Sequence, residues 1–425
     1  MLSCAFFFHQ ADRALFGLLT DPIQKDLNLS DLQIGWINTT LSWTLAAMTV
    51  IAGFIGDRFN RKWIITLSLI AWSLMTVCMG FVGGFIGALF FRSIATGVGE
   101  SFYAPSAYAL IAVHHRETRS VALSIHQAAL YIGLMISGVI VAWALGFLGC
   151  WRHVFVAFGA AGVVLGLVFI WALKDGSAGA PSAEAKAFEA KVAPKRRLSD
   201  SLKVYFCNPS ALCATAGFVA IVFVNNAYLF WAPKFAANKF FTDMPVGDAA
   251  KAVASDVMLW HHLFAFGAIM LGGVLTDRLV KKMPRVRLAI QILALFFGAP
   301  TLLWVGLSPS FAGMLVATGA YGIFRGFFEV NTHASLFDVI PPEHRSAAVG
   351  MLNMIAFFFG GLSGVAMGAL SEKYGLRGFE IGFGVMAAAY ALAAVMMAFS
   401  FFFTFNKEAE CFFSGAPTVK SYSTE

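Results

Sequence analysis

A carboxylate and a guanidinium, Asp12 and Arg13, stand side by side inside the otherwise oily stretch LSCAFFFHQADRALFGLL. An ionised side chain at the centre of a membrane helix costs roughly 2.5–3.5 kcal/mol on insertion scales. Such groups therefore face a partner or a watery cavity rather than lipid, and they are read as functional by default. Arg92, Glu100, Arg325 and Glu329 interrupt other apolar runs in the same way. A carboxylate buried between helices titrates readily when its surroundings change, which suits Asp12 and Glu100 to taking up and releasing a proton. Arg325, together with Arg13 and Arg92, suits a substrate anion, and Glu329 lies on the same helical face as Arg325 to set its position. The plainer alternatives are a fixed ion pair for Asp12 and a self-neutralising pair for Arg325 and Glu329. His126, Gln127 and Tyr131 in one run, Asn225, Asn226, Tyr228 and Trp231 in another, and Asn331 after Glu329 complete the candidate substrate contacts. Amides and aromatic rings suit a hydroxylated ligand through hydrogen bonds and stacking. His261 and His262 are expected near an outer entrance, in contact with water.

Holding such groups demands a membrane scaffold. Of 425 residues, 59% are hydrophobic and 12% charged, and mean hydropathy is +0.75. A soluble domain carries about 25% charged residues. The formal charge of +7 does not mark a nucleic-acid binder, because the basic residues collect in alternate loops. The six cysteines are scattered without CxxC or metal-ligand spacing and read as small apolar fillers. No nucleophile elbow, phosphate loop or metal cluster is visible, so neither a catalytic nor a metal site is expected. Leu2–Leu19 lacks a basic leader and a cleavage site, which argues against a signal peptide.

About 20 apolar residues cross a bilayer. Candidate spans lie near 2–19, 33–55, 63–82, 85–111, 119–146 and 151–173, then near 209–233, 256–275, 287–307, 310–338, 346–370 and 378–404. The expected fold is an all-α integral membrane protein with twelve transmembrane helices in two six-helix pseudo-symmetric bundles. Residues 1–173 form the first bundle and 209–404 the second. Residues 174–208 form a cytoplasmic linker with one amphipathic surface segment, and 405–425 a cytoplasmic tail. With the N-terminus inside, twenty Lys and Arg fall in cytoplasmic segments, against seven on the other face (Lys25, Arg152, Lys234, Lys239, Lys251, Lys373 and Arg377). That asymmetry is the positive-inside rule, and it implies an inner (plasma) membrane protein with both termini cytoplasmic. Gly360, Gly364 and Gly368 form a small-residue stripe for helix packing.

The two halves repeat. GFIGDRFNRK (Gly53–Lys62) ends the second span and GGVLTDRLVKK (Gly272–Lys282) the eighth; aligning Asp57 with Asp277 brings Arg58 onto Arg278 and Arg61 onto Lys281. Arg119–Ser120 likewise falls on Arg345–Ser346. Parallel six-helix repeats are the plan of a rocking transporter whose substrate site lies between its halves. A glycine such as Gly53 permits close helix approach, and the Asp-Arg steps Asp57–Arg58 and Asp277–Arg278, with Arg61, offer a gate of charge pairs across the cytoplasmic mouth.

GFIGDRFNRKW resembles the cytoplasmic loop signature of the major facilitator superfamily, and GGVLTDRLVKK its weaker second copy. The resemblance covers essentially the whole chain. ADRALFGLLTDPIQKDLNLSDLQIG, GVGE (Gly97–Glu100), GCWRHVF (Gly149–Phe155) and YLFWAPKF (Tyr228–Phe235) look like the anion:cation symporters that import sugar acids. GDRFNRK with FWAPKF looks equally like the Spinster-type lipid transporters, whereas the proline-bearing fifth-helix motif of drug:proton antiporters does not occur. The resemblance implies Asp12 and Glu100 as proton-coupling carboxylates, with Arg13 as a charge partner. Arg92 stands eight residues before Glu100 where both branches place it seven before, which turns it by about one helical step, roughly 100°. The abrupt start of the first span implies a start trimmed relative to the family.

Within the spans Arg13, Arg92 and Arg325 balance Asp12, Glu100 and Glu329. A substrate anion adds one negative charge and protonating one acid restores balance. The expectation is a monomeric, proton-coupled importer of a small organic anion such as a sugar acid, working by alternating access. Its partners are the substrate, protons and the lipid bilayer, not nucleic acid, and it is driven by the proton gradient without a cofactor. The rival readings are a Spinster-like exporter of a lysolipid or other amphiphile and, more remotely, a sensor or membrane enzyme on a transporter scaffold.

Overall fold

The structure, a computed structural model, describes residues 1–115, 118–173, 198–280, 282–283, 285–341 and 344–405. Helices occupy every candidate span. In the first half they are α1 (Leu2–Leu18), α3 (Asp31–Arg58), α4 (Arg61–Met79), a broken fourth rod, α8 (Arg119–Leu148) and α9 (Trp151–Ala172), with the short α2 (Thr20–Leu27) after α1. The fourth rod runs through α5 (Phe85–Ala88), a π-helical stretch Leu89–Ala95, α6 (Thr96–Ser101) and α7 (Tyr103–His114). The second half is built from α11 (Pro209–Phe240), α12 (Val246–Leu279), α13 (Val286–Leu307), α14 (Phe311–Glu329) with α15 (Thr332–Phe337), α16 (Arg345–Tyr374) and α17 (Leu376–Phe399). Among the described residues, nine helices are long and apolar enough to cross a membrane. α10 (Leu198–Phe206) is the one described part of the expected linker; it seats Tyr205 on the second half, where its hydroxyl meets Thr215 at 2.5 Å. Residues 174–197 and 406–425 lie outside the described residues.

Local chemistry sets the helix starts. Ser30 and Gln33 form a reciprocal capping box, and Asn60, Asn208 and Ser310 accept backbone N–H groups at the first turns of α4, α11 and α14. Packing then follows one plan twice. In the first half α1 lies on α8, α4 on α9, and α3 on the fourth rod; in the second, α11 lies on α16, α13 on α17, and α12 on α14. The halves touch along α3 with α16, α8 with α12, and α1 with α11.

The α3–α16 contact is made by backbone. A Cβ at Gly35 would lie 2.5 Å from the Gly364 carbonyl oxygen, and one at Gly368 would lie 2.4 Å from that of Asp31. Gly364 and Gly368 of the expected stripe thus face α3, while Gly360 faces Val222 of α11. Thr39 donates to the Gly361 carbonyl at 2.7 Å and Trp43 Nε1 to that of Phe358 at 3.0 Å.

At one end of this seam the polar groups converge on Lys234 of α11, which is buried. It donates to Asp31 and Gln24 and lies 3.7 Å from Asp21, while Ser371 of α16 also donates to Asp31. Glu372 accepts the Leu32 N–H at 3.0 Å. The halves are closed over the cavity at this face, which is opposite the expected gate. Asp277 and Arg278 are exposed at the end of α12, Arg61 is half-buried, and the side chains of Gly53, Asp57 and Arg58 lie outside those described.

Burial pushes the Asp21 carboxyl up to about 6, against the pull of Lys234. Burial also raises Asp31, but Lys234, Ser371 and Gln24 outweigh it and hold that carboxyl below its ordinary range. A folded-state value above the ordinary one favours the closed face at low pH, and the contribution is lost as pH rises through about 6. Relative to Asp21→Asn, the wild type should lose thermal stability between about pH 4 and pH 6; parallel melting profiles would remove the assignment. Gly35→Val should lower the thermal midpoint in detergent through overpacking of about 1–3 kcal/mol, whereas an unchanged midpoint would mean that the seam is looser than the backbone contacts require.

Candidate functional site

Consecutive residues on a helix point about 100° apart, and a separate partner meets each of Asp12 and Arg13. Asp12 turns toward α4 and the fourth rod: Thr76 Oγ1 donates to its two carboxylate oxygens at 3.0 and 3.1 Å, and Arg92 Nη1 lies 3.7 Å from Oδ2. Arg13 turns toward Glu100, with Nε at 3.7 Å from Oε2; His9 Nε2 approaches the same oxygen at 3.6 Å. Arg92 also donates to the Arg13 carbonyl at 2.9 Å, so the two pairs are laced together. Asp12, Arg92 and Glu100 are buried, while the Arg13 side chain keeps 27% of its surface exposed.

The eight-residue spacing from Arg92 to Glu100 does not turn Arg92 away. Residues Leu89–Ala95 are π-helical, and a π-turn absorbs one extra residue per turn. The additional step is taken up inside the rod, and Arg92 returns to the stripe that faces α1. The expected displacement is corrected by this local change of helix type.

Between the halves lies a cavity of about 200 Å³. Gln10, Arg13, Asn38, Ser42 and Arg92 line it from the first half, and Asn225, Asn226, Arg325 and Glu329 from the second. Leu130, Leu134, Phe218 and Phe230 supply apolar wall. Asn226 Nδ2 donates to Ser42 Oγ at 3.2 Å across the boundary. The two candidate proton carriers stand behind the arginines: Asp12 and Glu100 do not line the cavity themselves.

In the second half Arg325 Nη2 lies 3.1 Å from Glu329 Oε2, and Nη1 donates to His261 Nε2 at 2.9 Å. His261 and His262 are fully buried, not at an entrance in water. α12 and α14 meet so closely there that a Cβ at Gly322 would lie 2.4 Å from the His261 carbonyl oxygen.

The remaining expected contacts sit outside the cavity lining. His126 is buried with its ring stacked 4.4 Å from Phe6, and Gln127 accepts from the Tyr108 hydroxyl at 2.9 Å. Tyr131 is buried beside the Arg325–Glu329 pair, and Tyr228 packs 4.6 Å from His261. Trp231 is buried against Phe230 and Phe379. Asn331 ties α12 to the end of α14 through Thr276 at 3.3 Å and the Phe327 carbonyl at 3.1 Å. None of these residues reaches the cavity surface; each is engaged in packing or in hydrogen bonds behind it. Gln10, Asn38, Ser42 and Thr76 are site residues the sequence reading passed over, and His261 is one it placed at the entrance. Asn38 and Ser42, four apart in an apolar span, carried a visible signal of a polar face.

A profile described as the Major Facilitator Superfamily matches residues 2–308 and 244–411. Protein spinster of Drosophila melanogaster is 26% identical over 84% of this chain and 58% of its own length. The probable galactarate/D-glucarate transporter GudP of Escherichia coli is 30% identical over 40% of this chain, and 39% of that protein is covered. The matched stretch thus spans less than two thirds of either relative. A bacterial homologue of the human lysosomal transporter Spinster, solved inward-facing and occupied, superposes with a TM-score of 0.79 at 19% identity, covering 96% of both chains. A D-xylose-proton symporter superposes with a TM-score of 0.73 at 14% identity, covering 93% of this chain and 95% of the other. With a profile match along most of its length and the same helical architecture, the chain belongs to the major facilitator superfamily, and it is a multi-pass membrane transporter rather than an enzyme.

Proposed function

We propose that the protein imports a small organic anion, a sugar acid or similar carboxylate, together with protons, across the inner (plasma) membrane. The observation that carries this reading is the triad of cavity arginines, each already matched by a carboxylate of its own half: Arg92 by Asp12, Arg13 by Glu100, and Arg325 by Glu329. An entering anion competes for these guanidinium groups and leaves a carboxylate without its partner. A desolvated, unpartnered carboxylate takes up a proton, and Asp12 and Glu100 are the acids displaced when Arg92 and Arg13 turn to the substrate. The loaded, protonated carrier then has the same charge balance as the empty one. With one proton for each negative charge of the substrate no net charge crosses and the pH gradient drives uptake; only a proton in excess of that would draw about 2.3 kcal/mol per 100 mV from the membrane potential. The galactarate/D-glucarate transporter among its relatives supports a carboxylate substrate. The excess of Lys and Arg in alternate loops supports cytoplasmic termini, which puts the Lys234 closure outside and makes the described state closed to the exterior.

A second reading, export of a lysolipid or other amphiphile, is favoured by the Spinster match over 84% of the chain. An apolar groove of about 600 Å³ on the second half, between Phe206, Phe223, Phe359 and Met396, offers room for an acyl chain.

Proteoliposomes under an imposed inward proton gradient separate the two. Glucarate or a related acid should accumulate in wild-type vesicles, and Asp12→Asn or Glu100→Gln should reduce uptake to unaccumulated exchange. Accumulation at the wild-type level in both variants would take these acids out of coupling. Uptake that ignores pH and uncouplers, with lysolipid bound in place of the sugar acid, would transfer the assignment to the second reading.

A further inference from the structure

His261 is fully buried in α12, and its Nε2 accepts from Arg325 Nη1 at 2.9 Å. A guanidinium has donors only, so this nitrogen carries a lone pair and the ring is neutral, with its proton on Nδ1. The ring has little freedom to leave. Tyr321 stacks on it at 4.9 Å with 21° between the planes, and Tyr228 lies at 4.6 Å. The glycine contact at Gly322 brings the backbone of α14 against that of His261.

The opposite edge of the guanidinium is held less firmly. Nη2 and Nε share that edge; Nη2 meets Glu329, while Nε is buried without a hydrogen-bond partner. The Glu329 side chain is 28% exposed, against 5% for Arg325. Of the two groups that hold Arg325, His261 is locked by packing, and Glu329 is the more exposed.

We propose that His261 is a positioning residue for substrate recognition: it pins Nη1 so that the Nε–Nη2 edge of Arg325 is presented to the cavity as a two-donor fork for a carboxylate, with Glu329 as the place-holder the substrate displaces. This rests on the reading of the cavity as an anion site. The fork favours a planar two-oxygen anion, because such pairs form two parallel N–H···O bonds. A neutral polyol of the same length gains nothing from it.

The test is binding of glucarate and of glucitol to the purified full-length protein by calorimetry. His261→Phe keeps the stacked ring and removes the acceptor; it should weaken glucarate by about 10- to 100-fold and leave glucitol unmoved. His261→Gln, whose amide oxygen can accept from Nη1, should recover most of the loss. Glu329→Gln, at a partly exposed position, should tighten glucarate and provides the check if His261→Phe does not fold. Wild-type glucarate affinity in His261→Phe, equal losses for glucarate and glucitol, or weaker binding in Glu329→Gln would each overturn the proposal while leaving the anion reading intact. A wild-type protein that binds lysophosphatidylcholine and no glucarate would overturn the anion reading and this proposal with it.

Discussion

Lipid offers a charge nothing to bind, so each ionised group within the span must find its counter-charge inside the protein. That requirement organises the first half. Asp12 and Arg13 leave α1 in directions about 100° apart, and neither can neutralise the other. The fold answers with two elements: Thr76 of α4 and Arg92 of the fourth rod meet Asp12, while Glu100, further along the same rod, meets Arg13. The π-turn belongs to the same solution, because a regular helix would point Arg92 away from Asp12. An irregular backbone is thus retained where a charge has to be met.

For the six charges around the cavity the matching is made within each half, whereas Lys234 at the closed face is matched across the halves by Asp21 and Asp31. The pairs Asp12–Arg92 and Arg13–Glu100 belong to the first half, and Arg325–Glu329 with His261 to the second. Across the cavity the described polar contacts are amide and hydroxyl bonds, such as Asn226 to Ser42. A substrate anion that engages arginines from both halves would bridge them, and the acids it displaces lie one layer behind the cavity wall, where protonation costs no steric room.

Much of this was legible before any coordinates. Hydropathy located the helices, and the two GxxxDR-like segments marked the internal repeat. The six intramembrane charges stood out because apolar runs make an isolated Asp or Arg conspicuous. What escaped depends on side-chain direction and long-range pairing. Nothing local announces that Leu89–Ala95 takes up an extra residue, since that geometry is chosen by the demand of Asp12 on another helix. His261 looked like a water-facing residue near a loop, because sequence position along a span does not tell which face meets Arg325. Lys234 was only one of seven basic residues on its face, yet three acidic and amide groups from the other half converge on it.

The energetics of the two kinds of contact explain why the closed face can open while the halves stay whole. Removing one partner of a buried pair such as Asp12–Arg92 strands a charge and costs about 3–5 kcal/mol. The seam at Lys234 differs in position rather than in burial: Lys234 is buried, while the Asp21 and Asp31 side chains keep 12% and 15% of their surface exposed at the closed face, so parting the halves hydrates all three groups instead of stranding one of them. Beside it the seam is made of glycine-to-backbone approaches between α3 and α16 and of hydrogen bonds from Thr39 and Trp43 to α16 carbonyls. Separation at this face therefore exchanges contacts between the halves for water, while separation inside a half would expose a naked charge to lipid. What replaces a lost partner, water at the closed face and lipid inside a half, makes the boundary between the halves the cheaper one to part.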